Sequence, residues 1–231
     1  MIPLKDDNPT ANFPIVTVII IAVNVIVHVM LMPYGEKELR AVFMQFGFIP
    51  GRLFAGEWIN SPAPPVITLL SSMFLHGGFI HLAGNMLYLW IFGNNIEDIM
   101  GPIRFTAFYL LCGIGAAMLQ SIIKPGSVIP MIGASGAISG VMGAYLIRFP
   151  KARITVLFFL FFFIRIFQVS ASLVLGFWIF FQFISGFGSL GGEGGGVAFF
   201  AHIGGFAFGI LLVKVFEKQR KYYGRWSPFT G

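Results

Sequence analysis

The sequence predicts an all-α membrane protein, a bundle of six transmembrane helices forming one domain over 1–231, and three observations predict it. Hydrophobic residues make up 57% of the 231 and charged residues only 10%, against roughly 25% charged in soluble domains. Apolar runs of about 20 residues, enough to cross a hydrocarbon core of about 30 Å, recur near 14–32, 77–96, 103–123, 134–149, 168–187 and 197–216. With both termini in the cytoplasm, only Lys37, Arg40, Arg52 and Lys124 of the 15 Lys and Arg lie on the outer side, as the positive-inside rule requires. A seventh span would send the basic tail outward. The net charge of +6 therefore reads as orientation and contact with anionic lipid, and no nucleic-acid partner is expected.

The elements follow in order. Residues 1–13 form a short cytoplasmic N-terminus. Span 1 is too long for the apolar stretch of a signal peptide and lacks a small-residue cleavage site, so it is expected to be retained. The outer loop, 33–66, mixes Phe43, Phe46, Phe48, Phe54 and Trp58 with a few charges, a composition suited to the headgroup boundary. Span 2 enters from outside and carries His81 and Asn85. Span 3 returns with Cys112, the one cysteine, which excludes an intrachain disulfide and a cysteine-based metal cage. Span 4 lies in "MIGASGAISGVMGAY", 131–145, where Ser135 and Ser139 stand among glycines, alanines and apolar side chains.

Span 5 is the awkward one. The stretch 154–185 is apolar almost throughout but holds Arg165 and Gln168. One straight helix would run about 48 Å, while two spans and a turn would need roughly 40 residues. One span with an apolar interfacial lead-in is expected. Span 6 follows, and 217–231 is a basic cytoplasmic tail.

Polar groups inside a bilayer are expensive and mark functional sites by default. Spans 2, 4 and 6 all begin at the outer face, so His81, Asn85, Ser135 and His202 converge on one depth, with His202 roughly 8 Å down its helix. Small residues let the helices approach: Gly136 and Gly140 on span 4, and Ala201, Gly205 and Gly209 on span 6, repeat every four residues. A hydroxyl on one such face can reach an imidazole on the other, which is how histidine takes a serine proton.

A membrane serine alone more often bonds its own i−4 carbonyl, and "GASGA" is not the G-x-S-x-G elbow of α/β-hydrolases. The joint placement of four polar residues is what points to nucleophilic catalysis. None of the nine carboxylates falls in the outer third of a span, so a Ser-His dyad is expected in place of a triad. His81 and Asn85, at i and i+4, share a helix face and can donate to an oxyanion alongside the Ser135 backbone N–H. The competing reading is an interhelical polar clamp. His28, with Asn24, and His76 are expected to be structural hydrogen-bonding residues. No H-E-x-x-H occurs, and neither a metal nor a cofactor is expected.

"HLAGN" (His81 to Asn85), "FGNNIEDIMGPIRF" (Phe92 to Phe105), "GASGA" (Gly133 to Ala137) and "AHIGGFAFG" (Ala201 to Gly209) resemble, in order and position, the signature blocks of rhomboid intramembrane serine proteases. The resemblance implies a rhomboid-like bundle with Ser135 as nucleophile, His202 as general base, and His81 with Asn85 as oxyanion stabilisers. Glu97 and Arg104 would belong to the structural inner end of helix 2 and its loop. The implied reaction is hydrolysis of a peptide bond in or beside a transmembrane helix of a membrane-protein substrate, in a prokaryotic cell membrane. Such substrates would need a segment that unwinds readily.

Two positions depart from the family pattern. Ser139 stands where some rhomboids carry an aromatic that packs on the catalytic histidine, and 33–66 shows no Trp-Arg pair. The Gly-rich stretch 186–196 is expected to flex as part of a lid. The alternative function is an inactive rhomboid relative that binds transmembrane helices, which would be expected to have lost Ser135 or His202. A transport path would be expected to show paired repeats, and none is visible.

Overall fold

The computed structural model describes residues 2–54, 63–160, 163–191 and 197–218. Each of the six apolar runs is helical: α1 (Ile15–Leu31), α5 (Phe79–Met100), α6 (Pro102–Ile123), α7 (Ser135–Arg148), α8 (Ala171–Gly188) and α9 (Phe199–Phe216). Between α1 and α5 lie three shorter helices, α2 (Glu36–Phe46), α3 (Pro50–Phe54) and α4 (Pro65–Ser71). By length and composition α6, α8 and α9 can each cross a membrane among the described residues, and α4 with its 3₁₀ extension joins α5 at an 87° bend as a further candidate span. This is a membrane protein, mostly helical.

The expectation of an all-α chain is corrected by a three-stranded sheet. Strands β1 (Ile2–Asp6), β2 (Arg153–Leu160) and β3 (Phe163–Ser170) pair in the order β1-β2-β3, antiparallel throughout. The stretch read as an interfacial lead-in is therefore a β-hairpin. Its residues alternate across the sheet: Ile154 and Val156 point into the bundle and are fully buried, while Phe159, Ile164 and Ile166 are exposed. Arg165 and Gln168 sit on β3, at the sheet edge, where both are exposed. A helix in hydrocarbon would have had to bury both, whereas an edge strand leaves them free to reach water.

The end of the bundle where α5 meets α6 is tied to the N-terminus by carboxylates. Glu97, 4% exposed, accepts the backbone N–H groups of Val16 and Thr17 at 2.8 Å each. Those are first-turn amides of α1, which have no intrahelical acceptor. Asp98 takes the N–H groups of Ala11 and Asn12. Asp6 accepts the Tyr145 hydroxyl at 2.6 Å and Asn95 Nδ2 at 3.1 Å, and Asn8 hydrogen-bonds Asn95. Burial raises the Asp6 carboxyl above the ordinary aspartate range, against the opposing effect of the Tyr145 hydroxyl. Glu217, at the end of α9, pairs with Arg148 at 2.8 Å, and its carbonyl accepts Arg104 Nη1 at 3.1 Å.

Two helices form the centre. A Cβ built on Gly205 or Gly209 of α9 would run into the carbonyl oxygen of Gly136 or Gly140 on α7, and one on Gly143 would meet the Phe206 carbonyl. Only glycine permits that backbone approach. Gly101, at φ +76°, makes the reversal from α5 to α6, with Pro102 opening the new helix where its missing N–H costs nothing.

Candidate active site

The segment ahead of α7 is held from three sides before it delivers Ser135. Phe48, 1% exposed, exchanges backbone hydrogen bonds with Met131 at 3.0 and 2.7 Å. Gly51 donates to the Ser127 carbonyl at 2.8 Å, and Gly133 donates to the Ser72 carbonyl at 2.9 Å. The segment between α1 and α5 thus braces the site; Trp58, expected with it to form part of an interfacial loop, lies outside the described residues.

Ser135 is the first residue of α7. Its Oγ lies 2.7 Å from His202 Nε2 on α9. The other ring nitrogen, Nδ1, lies 2.8 Å from Gln182 Oε1 on α8. Ser139, one turn on, is 1% exposed and donates its hydroxyl to the Ser135 carbonyl at 2.6 Å. The two serines of this stretch therefore differ in kind. Ser139 is spent on its own helix, and Ser135 faces a base.

His81 and Asn85 line the same cavity as Ser135 and His202, a space of about 740 Å³. Gly77 N–H donates to His81 Nδ1 at 3.4 Å, a long bond that makes Nδ1 the acceptor and leaves the proton on Nε2. That edge of the ring passes Gly133, where a Cβ would come within 2.9 Å of His81 Nε2 and 3.7 Å of Ser135 Oγ. Gly133 also has φ +117°, a region open to glycine and costly for other residues. The His81 donor and the serine hydroxyl are thus close neighbours across a residue that must be small. Asn85 Nδ2 donates to the His81 carbonyl at 2.9 Å, which engages one amide hydrogen with its own helix and leaves the second.

Sequence reasoning missed four contributors. Gln182 was passed over inside the same apolar stretch, 154–185, in which Arg165 and Gln168 drew attention; a polar residue in that run was the available signal. Trp178, one turn before Gln182, places its ring 5.9 Å from His202 at 36° and 6.1 Å from Phe206, so an aromatic from α8 stands beside the histidine that Ser139 leaves uncovered. Gln120 Oε1 accepts the Ala201 N–H at 3.2 Å, holding the first turn of α9. Gly133 was quoted within a motif without a role.

The readings of His28 and His76 change in one respect. His76 is 3% exposed, and neither ring nitrogen has a hydrogen-bond partner among the described residues. It packs edge-on against His81 at 5.1 Å, a contact by ring surface. Asn24 donates to the Ile20 carbonyl of its own helix at 2.8 Å. Of the Gly-rich stretch read as a lid, 192–196 lies outside the described residues, as does most of the basic tail, 219–231.

The Rhomboid domain model matches residues 64–219, more than half of the chain and all of the site. The chain belongs to the rhomboid family. Among curated rhomboid relatives, Rhomboid protein 1, mitochondrial, of Saccharomyces cerevisiae is 32% identical over 174 residues, 69% of this chain and 47% of that protein. The human Presenilin-associated rhomboid-like protein, mitochondrial, is 31% identical over 166 residues, 67% of this chain and 39% of that one. Rhomboid protease GluP of Bacillus subtilis is 34% identical over 134 residues, 58% of this chain and 24% of that one. The match spans less than half the length of each of these three relatives. Because they include mitochondrial proteins as well as a bacterial one, they do not support the expectation of a prokaryotic membrane over a mitochondrial one.

Proposed function

We propose that this chain is an intramembrane serine endopeptidase that hydrolyses a peptide bond in or beside a transmembrane helix of a membrane-protein substrate, working through Ser135 and His202. The observation that carries the reading is the 2.7 Å contact between Ser135 Oγ and His202 Nε2 at the wall of an open cavity. His202 takes the hydroxyl proton as Oγ attacks the scissile carbonyl carbon, then gives that proton to the leaving amine. A water, deprotonated by the same imidazole, hydrolyses the acyl-enzyme. The oxyanion is received by the Ser135 N–H, which has no acceptor in its own helix, by His81 Nε2–H and by the remaining Asn85 amide hydrogen. A cavity of about 740 Å³ suits a few residues of extended peptide, which a substrate helix supplies only where it unwinds.

The test is cleavage of a single-span substrate by detergent-solubilised protein. Cutting near the outer membrane boundary is expected, with loss by at least roughly 10³-fold in Ser135→Ala and in His202→Ala and no response to chelators. Retained cleavage in Ser135→Ala refutes the reading. A well-folded protein that never cuts but retains transmembrane helices on a pull-down points to the inactive relative.

The same reading includes six spans with both termini cytoplasmic. Its support is that the helices from α5 onward alternate in direction, so that Ser135 and His202 share one end while β2, β3 and the carboxylates of α5 share the other. Single cysteines replacing Ser127 and Lys151 report the two sides. In intact cells an impermeant maleimide should label the first and spare the second; labelling of Lys151→Cys from outside contradicts the topology.

A further inference from the structure

We infer that Gln182 is a positioning residue for His202: its carboxamide oxygen accepts the Nδ1–H and so holds the imidazole in the tautomer whose Nε2 lone pair faces Ser135. The inference rests on the Ser135–His202 reading above and adds a third side chain to it. A neutral imidazole carries one proton, on one nitrogen or the other. If Nε2 is to take the Ser135 proton, Nδ1 must hold the ring's own, and a buried N–H needs an acceptor. Gln182 Oε1, at 2.8 Å, is that acceptor. With the ring turned to its other tautomer, Nε2 would carry the hydrogen toward Ser135, and the pair would have no base.

The surroundings leave few other ways to fix the ring. Among the described residues, besides His202 itself, the titratable or charged side chains lining the cavity are His81 and Tyr88 from α5 and Lys124 after α6; α7 and α8 contribute none. Lys124 is turned aside, its Nζ donating to the Ser189 carbonyl at 2.8 Å. Among the described residues no carboxylate lines the cavity, and the oxygen that orients His202 comes from a neutral amide. Trp178 and Gln182 are one helical turn apart on α8 and act on the same imidazole, one at its face and one at its edge. The difference from a triad lies in charge. An amide oxygen sets the tautomer, but it stabilises the imidazolium formed in the transition state less than a carboxylate would.

That difference makes the role measurable. Gln182→Leu keeps the volume and removes the acceptor, and Gln182→Glu keeps the acceptor and adds a charge. For Gln182→Leu, kcat should fall by on the order of 10- to 100-fold with KM changed less than about threefold, at an unaltered melting temperature. For Gln182→Glu, cleavage should persist, with the acid limb of the kcat–pH profile moved to higher pH because the carboxylate stabilises the protonated imidazole. A packing role predicts the reverse order, with leucine harmless and glutamate damaging. Full activity in Gln182→Leu, with Ser135→Ala and His202→Ala inactive in the same assay, overturns this inference and leaves the dyad standing. If Gln182→Leu fails to fold, an unmoved pH profile in Gln182→Glu overturns it as well. Activity surviving in Ser135→Ala would instead remove the reading on which it rests.

Discussion

The two ends of this bundle use polar side chains in opposite ways. At the end remote from Ser135 every described carboxylate is committed to holding the chain together. Glu97 and Asp98 cap backbone amides at and before α1, Asp6 and Asp7 tie β1 and its sequel to Tyr145 and Arg153, and Glu217 pairs with Arg148. Around Ser135 the polar groups are neutral apart from Lys124, which is turned aside onto the Ser189 carbonyl, and Ser135, His202, Gln182, His81, Asn85 and Gln120 all line one open cavity. Charge buried at a helix terminus is stabilised by the orphan amides it meets, so carboxylates suit joints. Neutral donors and acceptors in a chain can pass a proton without creating an uncompensated buried ion, so they suit chemistry. A polar residue in this fold is therefore judged by whether its bonds are all spent on the scaffold or leave one face to the cavity.

The largest effect that sharpens this contrast is expected at Glu97. Replacing it with alanine strands two first-turn amides of α1 and should lower stability by about 2–4 kcal/mol, seen as a lower melting temperature in detergent. Turnover per folded molecule at low temperature should stay within about threefold, since the residue lies at the end remote from Ser135. Loss of turnover at unchanged stability would mean that the end remote from Ser135 takes part in the chemistry, and the contrast would break. The smallest effect is expected at Ser139. Its hydroxyl serves only its own helix, so Ser139→Ala should change stability by less than about 1 kcal/mol and turnover by less than about fivefold.

Much of this was legible in the sequence. Apolar helices announce themselves by length and composition, and all six runs are helical within a few residues of the boundaries expected, with α6, α8 and α9 long and apolar enough to cross a membrane. Ser135, His202, His81 and Asn85 stood out because a bilayer makes polar residues conspicuous and because the order of the apolar runs sets them near the same end of three helices. The β-hairpin at 153–170 was hidden for a physical reason. A run of phenylalanine, isoleucine and valine satisfies strand and helix alike, and only its partners decide; here β1, from the other end of the chain, is one of them. Gln182 was hidden differently. Its type was readable, but the face it turns toward α9 depends on how α8 packs, which one sequence does not disclose. Trp178 answers the question that Ser139 raised, from a helix to which no motif pointed.

The most direct test of the central claim is the site of covalent capture by a fluorophosphonate. An ordinary hydroxyl in a membrane is too weak a nucleophile to react, and only a serine with an adjacent base in a preorganised site does so. Peptide mapping by mass spectrometry of the labelled, folded protein should place the adduct on Ser135, at full yield in Ser139→Ala and at none in His202→Ala. An adduct on Ser139, or one on Ser135 that forms as readily without His202, would contradict the account.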